Sequence, residues 1–119
     1  MNDLLNNFPK MEKSGQVAVL YSPGFGAGWS TWNDDEFIPI LTTHRDIVQA
    51  VMDGDKGAAA RIARELIAEA TGKPDVYVCV LGADDLKIEW LDKGSRFEIR
   101  EYDGSESIHV IGGRKYQMV

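Results

Sequence analysis

The residues whose types and spacing best suit a chemical task fall in one run, Ser22-Pro23-Gly24-Phe25-Gly26-Ala27-Gly28-Trp29-Ser30-Thr31-Trp32-Asn33. Gly24, Gly26 and Gly28, at alternate positions, let the backbone adopt positive φ and come close to a ligand. Successive N–H groups in such a loop can converge into an anion-binding nest. Ser30, Thr31 and Asn33 add short polar side chains. Trp29 and Trp32 add flat surfaces suited to stacking on a base or plugging a partner's pocket. The run departs from two phosphate-binding signatures. No Gly-Lys-Ser/Thr follows it, and its third glycine comes one position early for the dinucleotide fingerprint. The competing reading is a structural turn whose tryptophans are core. The density of Gly, Trp and hydroxyl residues favours a binding surface, since loops carry function more often than strands do.

The loop holds no cation, so a phosphorylated ligand would draw one from elsewhere. Arg45 at a helix start, Arg96 and Arg100 on the C-terminal strands, and Arg114 or Lys115 are the candidates, each with solvated surface charge as its competing role. Glu101 and Asp103 flank Tyr102 beside a turn and suit ribose hydroxyls, or simply turn chemistry. The expected ligand-contacting set is therefore Ser22, Gly24, Phe25, Gly26, Gly28, Trp29, Ser30, Thr31, Trp32, Asn33, Arg45, Arg100, Glu101 and Asp103.

Catalytic constellations are thin, and no catalytic residue is assigned. Ser22 lacks a nucleophile-elbow context. His44 and His109 lack metal-ligand spacing with another ligand type. Asp34-Asp35-Glu36 are adjacent acids that do not converge without a special loop, and they read as a solvated helix start. Cys79, the single cysteine, excludes an intramolecular disulfide and a thiolate metal site, and reads as a small core residue. No cofactor and no metal are expected.

The elements that must position the loop follow from periodicity. Gln16–Tyr21 reads as a strand bounded by Gly15 and Pro23. Thr43 opens a helix, with Asp46 completing a capping-box-like pair and Ile47, Val48, Val51 and Met52 on one face. Asp55 caps a second helix over Lys56–Thr71, where Ala59, Ile62, Ala63, Leu66, Ile67 and Ala70 form an apolar stripe. Gly72 and Pro74 end it. Val76–Leu81 reads as a strand. Alternation at Leu86, Ile88 and Trp90, then Phe97 and Ile99, then Ile108 and Val110 gives a meander, with turns at Asp92–Ser95 and Asp103-Gly104. Gly112-Gly113 leads into a last strand over 114–119. Residues 1–15 form an arm or extension, and 16–119 form one domain. The fold class is α+β: a mostly antiparallel sheet of the N-terminal strand plus the C-terminal meander, with two helices packed on one face.

Composition bounds the partners. The chain has 119 residues, which suits one domain with a modest core. Its net charge of −6 and the lack of a basic run longer than Arg114-Lys115 argue against nucleic acid. No apolar run approaches membrane length, and residues 1–15 hold no signal-type stretch. No membrane partner is expected, and the expected location is the cytoplasm.

The run Val17–Tyr21 followed by Ser22–Trp32 resembles a family of small, mostly uncharacterised phage and prophage proteins. A second match spans Leu86–Glu106, with Ile88-Glu89-Trp90, Gly94-Ser95-Arg96-Phe97 and Glu101-Tyr102-Asp103-Gly104-Ser105-Glu106. The two cover roughly a third of the chain; the helical middle matches only loosely. The resemblance implies a phage origin, hence a host-cell cytoplasm. Small phage proteins commonly counter host defence, some as oligomeric sponges that sequester nucleotide immune signals. That implies a homo-oligomer holding a small nucleotide-like ligand, a cyclic nucleotide or an ADP-ribose derivative, without chemistry. Two other readings stand beside it. One is a protein-binding inhibitor of a host defence complex, anti-CRISPR-like, with the tryptophans as anchors. The other is a small phosphodiesterase acting on such signals, supported only by the histidines and acids.

Overall fold

A computed structural model of the chain describes residues 4–110 and the backbone of 117–118. Strand β1 (Glu12–Lys13) turns through Ser14 and Gly15, both at positive φ, into β2 (Gln16–Tyr21). Two-residue hairpins favour that mirror-image turn because its twist matches the strands. The glycine-rich loop follows, with a short 3-10 turn over Ser30–Trp32 and another over Asp35–Phe37. Three helices come next: α1 (Ile38–Thr43), α2 (Arg45–Met52) and α3 (Lys56–Thr71). After a non-strand segment, β3 (Lys87–Asp92), β4 (Arg96–Tyr102), β5 (Ser105–Val110) and β6 (Gln117–Met118) complete the fold.

The protein is α+β, and among the described residues the pairing is antiparallel throughout, in two sheets ordered β1-β2-β3 and β5-β4-β6. Strand β2 explains the division. Its residues from Val17 to Leu20 are all buried, where a half-solvated strand would alternate. Ala18 and Leu20 face a core made with α1, α2 and α3, including Leu41, Ile47, Ala63 and Ile67. Val17 and Val19 face the other way and pack with Leu91 and Phe97, supported by Ile99 and Ile108. The strands lie where alternation puts them. The meander breaks at Asp92–Arg96, however, so β4 and β5 form a second layer against the back of the first sheet.

Helix α3 matches its expected span. Asp55 accepts from the Ala58 N–H at 2.9 Å, and Gly72 closes the helix at φ +70. Its alanines Ala59, Ala63 and Ala70 are buried, which lets α2 approach closely. The expected start at Thr43 requires correction. Thr43 ends α1, and its hydroxyl donates back to the Pro39 carbonyl at 2.7 Å. His44 caps α2 instead, its Nδ1 accepting from the Asp46 N–H at 3.0 Å. On α2, Ile47 and Val48 are buried, while Met52 at the last turn is exposed.

The expected strand over Val76–Leu81 is not one. Val78 and Cys79 are buried as the apolar run requires, but no strand pairs with them. The Asn33 side chain takes a neighbour's place, with Oδ1 accepting from the Cys79 N–H at 2.8 Å and Nδ2 donating to the Cys79 carbonyl at 3.0 Å. One amide thus satisfies both backbone groups of a buried residue. Residues 4–15, expected as an arm, lie against the core through Leu5, Phe8 and Met11. Of the expected last strand, Gln117–Met118 pairs with β4. Arg114, Lys115 and the Gly112-Gly113 turn lie outside the described residues. Among the described residues no helix is long and apolar enough to cross a membrane.

Candidate functional site

The glycine-rich loop is built around a carboxylate. Glu106, near the start of β5, is buried beneath it at 2% exposure. Its Oε1 accepts from the Ser22 N–H at 2.9 Å. Its Oε2 accepts from the Trp29 N–H at 2.8 Å, the Thr31 N–H at 3.0 Å and the Thr31 hydroxyl at 2.6 Å. The Glu106 N–H in turn donates to the Ser22 carbonyl at 2.7 Å. The amides do converge on an anion, and that anion is the protein's own side chain. A buried carboxylate is costly unless its oxygens are fully hydrogen-bonded, and here one loop supplies four donors.

The two tryptophans diverge. Trp29 is wholly buried in the helix-side core, and its indole N–H donates to the Leu41 carbonyl at 2.6 Å. It cannot stack on a ligand, so the expectation placed on it is corrected. Trp32 stays 38% exposed, with its indole lying over the buried Gly28. The other loop residues divide likewise. Ser22 is buried, and its hydroxyl donates to the Ala27 carbonyl at 3.1 Å. Ser30 is buried, and its Oγ has no hydrogen-bond partner. Gly24 lies against the Asp85 carboxylate. The Gly26 N–H donates to the Asp103 carbonyl at 2.6 Å, pinning the loop to the β4–β5 turn. That turn needs Asp103-Gly104: both have positive φ, and a side chain at Gly104 would strike the backbone of Gly26 and Ala27.

Two surface hollows flank the loop. The first, of about 250 Å3, lies between Phe25 and the hairpin of β4 and β5. Arg100, Glu101, Tyr102, Ser105, Ser107 and His109 line it with Phe25. Phe25 and Tyr102 are more than two-thirds exposed, an unusual state for such rings. The Arg100 Nε is 2.7 Å from Glu98 Oε1, and the His109 Nε2 is 3.0 Å from the Ser107 hydroxyl. Glu101 accepts from the Gly104 N–H at 2.7 Å. The second hollow, a shallow groove of about 490 Å3, runs between Trp32 and Tyr77 and is lined also by Thr31, Asn33, Asp34 and Val76.

The structure thus gathers Phe25, Arg100 and Glu101 of the expected set in one hollow, and Thr31, Trp32 and Asn33 in the other. Asp103 serves the loop through its backbone. Arg45 lines neither hollow: it pairs with Asp46 at 3.5 Å, and its N–H donates to Pro9. Asp34, Asp35 and Glu36 are exposed, and no group of metal-ligating side chains forms among the described residues. The expected ligand set lacked Glu106, Tyr102, Ser105, Ser107, His109 and Tyr77. For Glu106 a signal existed. It precedes Ile108 by two positions, so alternation puts its charge on the inward face of β5. No known protein family, curated protein or solved structure matches the chain.

Proposed function

We propose that this chain is a binding protein without chemistry that captures a small nucleotide-like ligand in the hollow between Phe25 and the β4–β5 hairpin. One observation carries the reading: that hollow is the place where exposed aromatic faces, a guanidinium, an imidazole and hydroxyls meet. Phe25 and Tyr102 would hold a base by stacking. Arg100 and His109 would meet phosphate, and Ser105, Ser107 and Glu101 would meet ribose or phosphate oxygens. The Ser22, Trp29 and Thr31 amides do not serve this ligand, because Glu106 already holds them. The resemblance to phage proteins fits a sponge for a cyclic nucleotide or ADP-ribose immune signal, acting as a homo-oligomer in the host cytoplasm. A thermal-shift screen of such nucleotides tests the reading. A binder should raise Tm in the native protein, and Phe25→Ala and Arg100→Ala should each remove the shift while leaving the unliganded Tm nearly unchanged. No stabilisation by any of them, at concentrations far above a micromolar Kd, contradicts it.

A second reading rests on the other hollow. Trp32 and Tyr77 are exposed aromatics on either side of the groove, the residue type that anchors protein interfaces. An inhibitor of a host defence complex would use them. A stoichiometric partner recovered from host lysate, and lost with Trp32→Ala or Tyr77→Ala but kept with Phe25→Ala, favours this reading over the first.

A further inference from the structure

The described part of the N-terminal segment meets the start of α2 at an ionisable group, His44. The His44 ring stacks on the Phe8 ring, with centroids 5.2 Å apart and planes 11° from parallel. Lys10 forms a β-bridge with His44 and places its ammonium 5.9 Å from the Phe8 centroid. The Arg45 N–H donates to the Pro9 carbonyl at 2.9 Å, and the Ala18 N–H donates to Met11 at 3.0 Å. The imidazole also caps α2, with Nδ1 accepting the Asp46 N–H. A cavity of about 160 Å3 lies beneath the segment, bounded by Phe8, Pro9, Ile40, His44 and Leu66.

We infer that His44 is an acid-operated latch: protonating its imidazole releases residues 4–13 from α2 and β2 while the rest of the fold stands. The reason is local chemistry. Nδ1 accepts a hydrogen bond only while it carries no proton, so the imidazolium cannot cap. Its positive charge would also sit at a helix N-terminus, where the backbone dipole opposes it. The charged groups beside the ring among the described residues enter the balance. Burial is the largest influence and holds His44 below the usual histidine range. Asp46 on α2 pulls the other way, Arg45 reinforces the lowering, and Glu69 on α3 opposes it. Lys10, on the segment itself, adds a second nearby cation. Helix α1 contributes no charge.

The sign follows from linkage. With the segment docked the buried His44 ring binds a proton more weakly than with it released, which moves the ring toward the ordinary value of 6.5. Docking is therefore fully favoured above that value and weakens as pH falls beneath it. Hydrogen exchange in the intact chain tests this at the Arg45 and Ala18 amides, which report the Pro9 and Met11 bonds. Their protection should fall by up to roughly tenfold per pH unit below about pH 6.5, with the Ala63 and Ile67 amides of α3 unchanged. His44→Asn keeps a capping oxygen but no titrating ring, and should make protection flat with pH. Flat protection in the native protein, an equal fall in His44→Asn, or a parallel fall in α3 overturns the latch. Should His44→Asn not fold, the native ring decides by NMR titration. A midpoint coinciding with the loss of protection supports the latch, and a separate one refutes it.

Discussion

The carboxylate of Glu106 sits 2.8 Å from the backbone nitrogen of Trp29, a residue 77 positions earlier in the chain. The same oxygen reaches Thr31, and its partner oxygen reaches Ser22, so β5 closes the loop from below. A glycine-rich loop with inward amides invites the expectation of a bound phosphate. Here the negative charge comes from within, which turns the loop into scaffold and leaves Phe25 and Trp32 as its exposed aromatic side chains.

Glu106→Ala should therefore destabilise the fold severely. It strands the buried N–H groups of Ser22 and Trp29 and the half-buried N–H and hydroxyl of Thr31, with a cost of about 3 kcal/mol or more. In a domain of this size that lowers Tm by roughly 10 °C. Millimolar formate or acetate, small enough to enter the vacated space, should recover part of the loss in Glu106→Ala and do nothing to the native protein. Calorimetry with and without the carboxylate checks both halves.

The two loop tryptophans should behave oppositely. Trp29→Phe loses the bond to Leu41 and leaves a void, costing about 2–3 kcal/mol in urea titration. Trp32→Ala should cost under about 1 kcal/mol, since its ring is partly solvated. Acrylamide quenching should fall in Trp32→Phe and rise as a fraction of total emission in Trp29→Phe.

Asn33→Ala should cost about 2 kcal/mol, because the buried Cys79 loses its partners for both backbone groups. Asn33→Asp should fare little better, since a carboxylate can accept from the Cys79 N–H but cannot donate to its carbonyl. Urea denaturation of the two variants, together with faster thiol labelling of Cys79, provides the check.

Much of the frame was legible because its signals are local. Helix α3 shows a capping aspartate, a helical stripe and a closing glycine in sequence order. The Asp103-Gly104 turn needs only two residues of the right type. The second layer had a signal that the one-sheet reading passed over, since the unbroken apolar run Val17–Leu20 demands cover on both faces. What escaped is long-range. Val76–Leu81 has the apolar character of a strand, and only the distant Asn33 side chain decides otherwise. The start of α2 went to the wrong residue because a histidine ring can cap as a threonine hydroxyl does. Trp29 and Trp32 are three positions apart with opposite fates, settled by where Leu41 and Gly28 lie. For the site, residue type and loop position singled out Phe25, Arg100 and Glu101 but not their meeting, which depends on Gly26 docking to Asp103.

Amide chemical-shift mapping of the labelled protein against a cyclic dinucleotide and against an ADP-ribose derivative is the decisive measurement for ligand capture beside Phe25. Saturable shifts for one of them are expected at Phe25, Arg100, Tyr102, Ser107 and His109, with the Ser22, Trp29 and Thr31 amides unmoved on their carboxylate. Shifts centred on Ser22, Trp29 and Thr31, with the β4–β5 hairpin silent, would contradict it.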